Sequence, residues 1–332
     1  MKAVVMTESG APEVLEVRQI PDPEIKKPTE ILVRLKAAGV NPIDVKLRSR
    51  GTFYPDRMPA VLGCDGAGIV EQIGSEVKNF QVGDEVYFCN SGIGAYPGNY
   101  AELAVVDEQF VAKKPTSLSF IEAAASPLVL ITAWESLYDR GKLQPGQRVL
   151  IHAGAGGVGH VAIQLAKLQG TQVATTISSD EKAAFAKSMG ADLTIFKNTD
   201  VVEQILQWTD GEGVDLAFDT VGGKVFYDSI PAVKVYGDLV TILEPDPSCG
   251  NLKVARLRNL RIGLELMLTP MMQGMEESQH DQANILQQCA RLFDEGKLKI
   301  HLNKTFALED AIEAHRLLEA GSMVGKVVLS IS

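Results

Sequence analysis

The chain has 332 residues, ample for two cores, and its 45% apolar and 22% charged residues are the make-up of an ordinary globular protein. A formal net charge of −10 argues against nucleic acid and anionic membrane surfaces as partners. Cys64, Cys89, Cys249 and Cys289 lie far apart with no C-x-x-C pair, which implies neither a disulfide framework nor a structural zinc lobe.

The opening MKAVVMTESG reads as a strand rather than a signal peptide, and no stretch has the apolar length of a membrane-spanning helix, so a cytoplasmic setting is expected. Residues 1 to about 120 are strand-rich and punctuated by Pro21, Pro23 and Pro28. Ile31 to Ala37 and Gly68 to Ile73 alternate, and Gly83 to Tyr87 follows a turn. From Ser119 the character changes: Phe120–Ser126 and Leu128–Asp139 read as helices separated by Pro127. A short apolar run, Arg148 to Ala153, then leads through a glycine turn into a helix ending near Gly170, and Gln172 to Ile177 forms the next strand. Alternation continues with strand 193–196, helix 200–208, strand 214–218, helix 224–232, strand 238–243 and a last strand within Leu260–Met267. Helices are expected at Asp281–Glu295 and Leu308–Ala320, and a closing strand at Gly325–Ile331. The fold class is therefore α/β, a doubly wound parallel sheet beside a β-rich domain.

The chemistry centres on the turn after Arg148–Ala153, where Gly154, Gly156 and Gly159 hold the G-x-G-x-x-G spacing between a strand and a helix. Gly154 is expected to allow the tight turn, Gly156 to let the backbone approach a pyrophosphate, and Gly159 to permit close helix–strand packing. Gly157 and Val158 add unpaired N–H groups at the positive end of the helix dipole. The next strand ends Thr175-Thr176-Ile177 with no carboxylate for a ribose 2′-OH, while Ser178, Ser179 and Lys182 follow. That favours NADPH over NADH. Asp180 and Glu181 either repel a phosphate or open the following helix behind a Ser178 or Ser179 N-cap.

Several strings resemble the medium-chain dehydrogenase/reductase superfamily and, within it, the zinc-independent, zeta-crystallin-like quinone oxidoreductases. They are AAGVNPIDVKLRSRGTFYP (37–55), LGCDGAGIVEQIGSEVKNFQVGDEVY (62–87), ITAW (131–134), the AGAGGVG turn, FDTVGG (218–223) and the tail FALEDAIEAHRLLEAGSMVGKVVL. The resemblance implies a GroES-like catalytic domain at 1–124, a Rossmann NADP-binding domain at 125–266 and a return segment at 267–332. It also implies that Asn41 and Asp44 lie near the ribose and nicotinamide, with Thr132, Val221 and Gly222 close to the ring. Tyr54 falls in a loop that resembles the family's substrate-facing loop, where it would give a proton or a hydrogen bond to a carbonyl oxygen. Asn41, Asp44 and Tyr54 are thus the candidate catalytic residues. Their ordinary roles would be a turn opener before Pro42, a cap or ion-pair partner, and a solvent-edge aromatic.

Zinc-dependent relatives place a Cys where Asn41 stands and Gly-His-Glu where Gly63-Cys64-Asp65 stand. Only Cys64 and Asp65 remain as donors, so no metal is expected and Cys64 reads as a small buried hydrophobe. His152 and His160 read as packed or solvated, and His315 beside Arg316 and Glu319 as part of an exposed helix face. The expected function is NADPH-dependent reduction of a quinone or an α,β-unsaturated carbonyl by a homodimer paired through Arg261–Leu266. The alternatives are an alcohol dehydrogenase that recruits zinc through atypical ligands, and a silent nucleotide-binding protein with a structural or regulatory role.

Overall fold

A computed structural model describes all 332 residues. Contacts divide the chain into one unit of Met1–Leu128 with Leu268–Ser332 and a second of Val129–Met267.

The second unit is built on six parallel strands. In sheet order they are Leu193–Phe196, Gln172–Ile177, Arg148–Ile151, Val214–Asp219, Val233–Thr241 and Arg261–Leu264. Numbered by sequence within the unit this is 3-2-1-4-5-6, the doubly wound dinucleotide-binding order. Strand order reverses between Arg148–Ile151 and Val214–Asp219, so the loops leaving those two strands open at the switch point. The core strands are apolar runs with both faces covered. Val149, Leu150, Ile151, Ala174, Leu239 and Phe218 are all fully buried, as parallel sheets require. The helix Gly157–Leu168 lays Val161, Ala162, Leu165 and Ala166 into this core.

The first unit carries a seven-stranded sheet centred on the long strand Glu30–Val40. That strand pairs antiparallel with Asp65–Ile73, Leu103–Asp107 and Lys326–Ser330. A smaller sheet joins Lys2–Met6 to Leu15–Gln19 and Ala60–Val61. The register Val327↔Val40 returns the end of the chain to the end of the central strand, which sets Lys326 beside Asn41.

Several elements differ from the sequence expectation. Strand 238–243 begins earlier, at Val233, and passes an irregularity where Tyr236 adopts φ 62°. Pro127 is the first residue of the helix Pro127–Trp134 rather than a spacer, because a missing N–H costs nothing in a first helical turn. A π-helical stretch, Glu135–Arg140, follows it. The helix Pro42–Arg50 was not anticipated, since PIDVKLRSR has no sustained apolar stripe. The helix expected at Asp281 starts at Glu276. His315 is fully buried, not on an exposed face, because the helix Pro42–Arg50 packs on that side of Ala311–Ala320.

Candidate active site

The glycine turn is held by its own backbone. Gly156 N–H donates to Ala153 O at 2.9 Å, Gly154 N–H to Thr176 O at 3.2 Å and His152 N–H to Phe218 O at 3.0 Å. Ala153, not Gly154, takes the left-handed conformation, with φ 51°. Gly154 is needed for a different reason: a Cβ there would stand 2.2 Å from Thr175 Oγ1. At Gly159 a Cβ would meet Ala153 O at 2.3 Å, so this position brings helix and strand together as expected. Gly156 differs from both, since its nearest contact would be Ala153 O at 3.2 Å. Protein packing therefore demands two of the three glycines. The third leaves bare, half-buried backbone at the helix N-terminus beside Gly157 and Val158, which suits the approach of a diphosphate.

Beneath the turn a buried histidine ties three elements together. Ser229 Oγ donates to Val225 O at 2.6 Å, so it accepts from His152 Nε2 at 2.7 Å. His152 Nδ1 is then the acceptor for Thr176 Oγ1 at 3.2 Å, and that oxygen accepts Ala153 N–H at 3.0 Å. Burial pushes His152 down to about 4, against the opposing pull of Asp219. Asp219 Oδ1 accepts the N–H groups of Val221 and Gly222, each at 2.9 Å, and its Oδ2 accepts Thr241 Oγ1. Val221 is left 45% exposed, on the loop leaving the fourth strand at the switch point.

At the tip of Gln172–Ile177, Ser178 is exposed and Ser179 caps the next helix by accepting Lys182 N–H at 3.3 Å. The Ser179 hydroxyl proton and the Lys182 ammonium remain free to meet an anion. Glycine turn, serine–lysine tip and Val221–Gly222 loop thus lie at the carboxyl ends of three adjacent strands. Thr132 is buried on the helix Pro127–Trp134.

Asn41, Asp44 and Tyr54 belong to the other unit. Asn41 caps the helix Pro42–Arg50, and Asp44 Oδ2 accepts Asn41 N–H at 2.8 Å in return. Asn41 Nδ2 donates to Asp65 Oδ2 at 2.8 Å, and its Oδ1 accepts from Lys326 Nζ. Asp65 Oδ1 accepts Leu128 N–H at 2.8 Å, and Lys326 stands 3.8 Å from Asp65 Oδ2. Burial, opposed by the Asn41 N–H and reinforced by Asp65, raises Asp44 to about 7. Burial also raises Asp65 and lowers Lys326, each restrained by the other's charge. Tyr54 sits apart, half-buried, its hydroxyl reaching Met272 O only at 3.4 Å with Arg57 over its ring. Lys326 and Tyr100, which closes on Asp44 at 3.1 Å, were not singled out from sequence. The one signal for Lys326 was a cation opening the final strand of a string already tied to the family.

Two family descriptions match the chain: an alcohol dehydrogenase GroES-like domain over residues 27–116 and a zinc-binding dehydrogenase over 189–329. A quinone oxidoreductase of Pseudomonas aeruginosa is 34% identical over 329 residues, covering 99% of both chains. The chain is a medium-chain dehydrogenase/reductase. Among solved members, an alcohol dehydrogenase superfamily protein from Novosphingobium aromaticivorans superposes with a TM-score of 0.92 at 32% identity over 100% of both chains. The Escherichia coli quinone oxidoreductase, solved as a complex with NADPH, superposes with a TM-score of 0.85 at 30% identity over 100% of both.

The GroES-like and Rossmann-type architectures of this superfamily are both present, and its oxidoreductase chemistry with a nicotinamide dinucleotide applies to this member. The glycine turn and strand tips fit that cofactor. A catalytic zinc fits less well. No three His, Cys, Asp or Glu side chains converge on one point. Both Asp65 oxygens are engaged, by Leu128 N–H on one side and Asn41 and Lys326 on the other. No helix is long and apolar enough to cross a membrane.

Proposed function

We propose that this dehydrogenase/reductase uses NADPH to reduce a quinone or an α,β-unsaturated carbonyl without a metal ion. The observation that carries the reading is the pairing of Gly156, which a Cβ would crowd far less than Gly154 or Gly159, with a carboxylate-free strand tip bearing Ser178, Ser179 and Lys182. The first feature suits a diphosphate and the second a 2′-phosphate. When bound, the nicotinamide supplies the hydride.

The chain's own residues then have three tasks. Gly157 and Val158 offer N–H groups to the diphosphate beside the bare backbone of Gly156, whose own N–H is held by Ala153 O, while Gly154 and Gly159 hold the turn in register, and Thr132, Val221 and Gly222 confine the reactive ring. Asn41 is fixed by Asp65 and Lys326, so it presents one orientation only. Asp44, raised to about 7, exchanges its proton near neutral pH, and its Oδ1 has no protein partner. In this reading Asp44 is the proton reservoir for the substrate oxyanion, and Tyr54 hydrogen-bonds that oxygen. The Lys326 ammonium beside Asp65 supplies the local positive charge that a metal would otherwise bring, which favours the metal-free route over a zinc alcohol dehydrogenase.

The unpaired edge strand Arg261–Leu264, with Leu264 and Leu266 exposed, is the proposed homodimer seam. The test is NADPH consumption with 9,10-phenanthrenequinone or an alkenal, with and without chelator and with NADH in parallel. Tight NADPH binding with no turnover would favour the silent nucleotide-binding alternative. Chelator-sensitive alcohol oxidation would favour the zinc one.

A further inference from the structure

Asp44 opens a chain of buried polar groups that runs through Tyr100 to His315, and the Arg48–Glu319 ion pair lies on the same helix pair. The Tyr100 hydroxyl stands between Asp44 Oδ2 at 3.1 Å and His315 Nε2 at 3.3 Å, with both rings fully buried. His315 and Glu319 are four residues apart on the helix Ala311–Ala320 and so share a face. Arg48, only 1% exposed, bonds Glu319 through Nη2, and its charge acts on His315. Glu319 is 37% exposed and marks the outer end.

Four further polar groups on this line are buried without a partner: Asp44 Oδ1, His315 Nδ1, and Nε and Nη1 of Arg48. Buried polar groups are rarely left so, and an internal water satisfies several at once.

We propose that one internal water joins the unpartnered nitrogens of Arg48 to His315 Nδ1, and that Tyr100, His315 and this water relay a proton between Glu319 at the surface and Asp44. The inference rests on the reductase reading, in which every turnover takes up a proton along with the hydride. Two fully hydrogen-bonded states exist. In one, Asp44 is a carboxylate accepting from Tyr100, which accepts from His315 Nε2–H, while Nδ1 accepts from the water. In the other, Asp44 carries the proton and donates to Tyr100, Tyr100 donates to His315 Nε2, and Nδ1–H donates to the water. Passing from the first to the second breaks the Tyr100 O–H and His315 Nε2–H bonds and forms Asp44 O–H, a new Tyr100 O–H and His315 Nδ1–H. The last proton enters from solvent at the Glu319 carboxylate, which takes it up and passes it on through the water, so that Glu319 ends as the carboxylate paired with Arg48. The imidazole stays neutral and only its tautomer changes. The charged and titratable groups facing the line are Asp65 and Lys326 at Asp44, Cys64 and Asp65 at Tyr100, Arg48 at His315, and Glu13 and Glu319 at Arg48.

The tautomer gives a readout that needs no turnover. Nitrogen-15 NMR of His315 in the full-length protein should show Nε2–H giving way to Nδ1–H as pH falls through the Asp44 titration near 7, with the ring neutral throughout. Tyr100→Phe should abolish the switch. With an alkenal at pH 8, Tyr100→Phe and His315→Gln should each lower kcat at least tenfold, leave KM for NADPH within twofold, and recover rate at lower pH or with small protonated buffers. A single His315 tautomer across pH 5–9 in the unmodified chain overturns the relay, as does an unaltered pH profile in His315→Gln. A tautomer switch without turnover of any acceptor leaves the relay standing and removes the reductase reading instead.

Discussion

Lys182 is the residue on which the choice between dinucleotides turns. With no carboxylate at the strand tip, its ammonium is a charge available there to meet a 2′-phosphate, and a charge-assisted bond of this kind is worth about tenfold in affinity or more. Lys182→Ala should raise KM for NADPH about tenfold and leave that for NADH within twofold in steady-state assays. His152 makes the corresponding prediction for stability. Its folded value of about 4 lies below the ordinary 6.5, so the unfolded chain binds the extra proton between those limits. Its contribution is complete above pH 6.5 and is lost as pH falls towards 4, on the order of 3 kcal/mol. His315, held near 3 by burial and by Arg48, acts in the same direction. Asp44, raised to about 7, acts oppositely, favouring the fold most below pH 4 and losing that advantage as pH rises through 7. Asp65, also raised by burial, acts with Asp44, so the histidine contribution is read as a difference: in chemical denaturation, any loss of stability between pH 6.5 and 4 should be smaller in His315→Gln than in the parent. That Asn41 and Asp44 are neighbours was legible because they lie in one string. Lys326 was not, because it meets Asn41 across 285 residues of chain.

At the scale of elements, the glycine turn separates packing from binding. Gly159→Ala would force a Cβ against Ala153 O and should destabilise by about 1–3 kcal/mol, read as a lowered Tm. Gly156→Ala brings a Cβ to 3.2 Å from Ala153 O, a tight contact but milder than the 2.3 Å clash at Gly159, so it should lower Tm less than Gly159→Ala, yet lose at least tenfold in NADPH affinity by calorimetry. Equal loss of stability in both would mean that Gly156 serves the fold alone. The strand–turn–helix–strand unit was readable because apolar run, glycines and helical period coincide within thirty residues. The helix Pro42–Arg50 was not, because its capping box rather than an apolar stripe defines it. His315 was misread for a related reason: Arg316 and Glu319 gave its helix a polar look, while the covering helix comes from far away in sequence.

At the scale of the whole molecule, local pattern named the strands but not their neighbours. The 3-2-1-4-5-6 order and the return of Lys326–Ser330 to Glu30–Val40 are tertiary facts that no window of sequence contains. The proposed dimer belongs here as well. Leu264→Lys puts a charge on an exposed, unpaired edge and should convert a dimer to a monomer by light scattering, without lowering the helix content.

The most direct test of the central claim is the rate of NADPH oxidation by 9,10-phenanthrenequinone in the presence of a strong chelator. The account predicts sustained turnover, unchanged by the chelator and at least tenfold weaker in KM for NADPH when Gly156 is replaced by Ala. Turnover abolished by the chelator and restored by zinc, or no turnover at all with NADPH firmly bound, would contradict it.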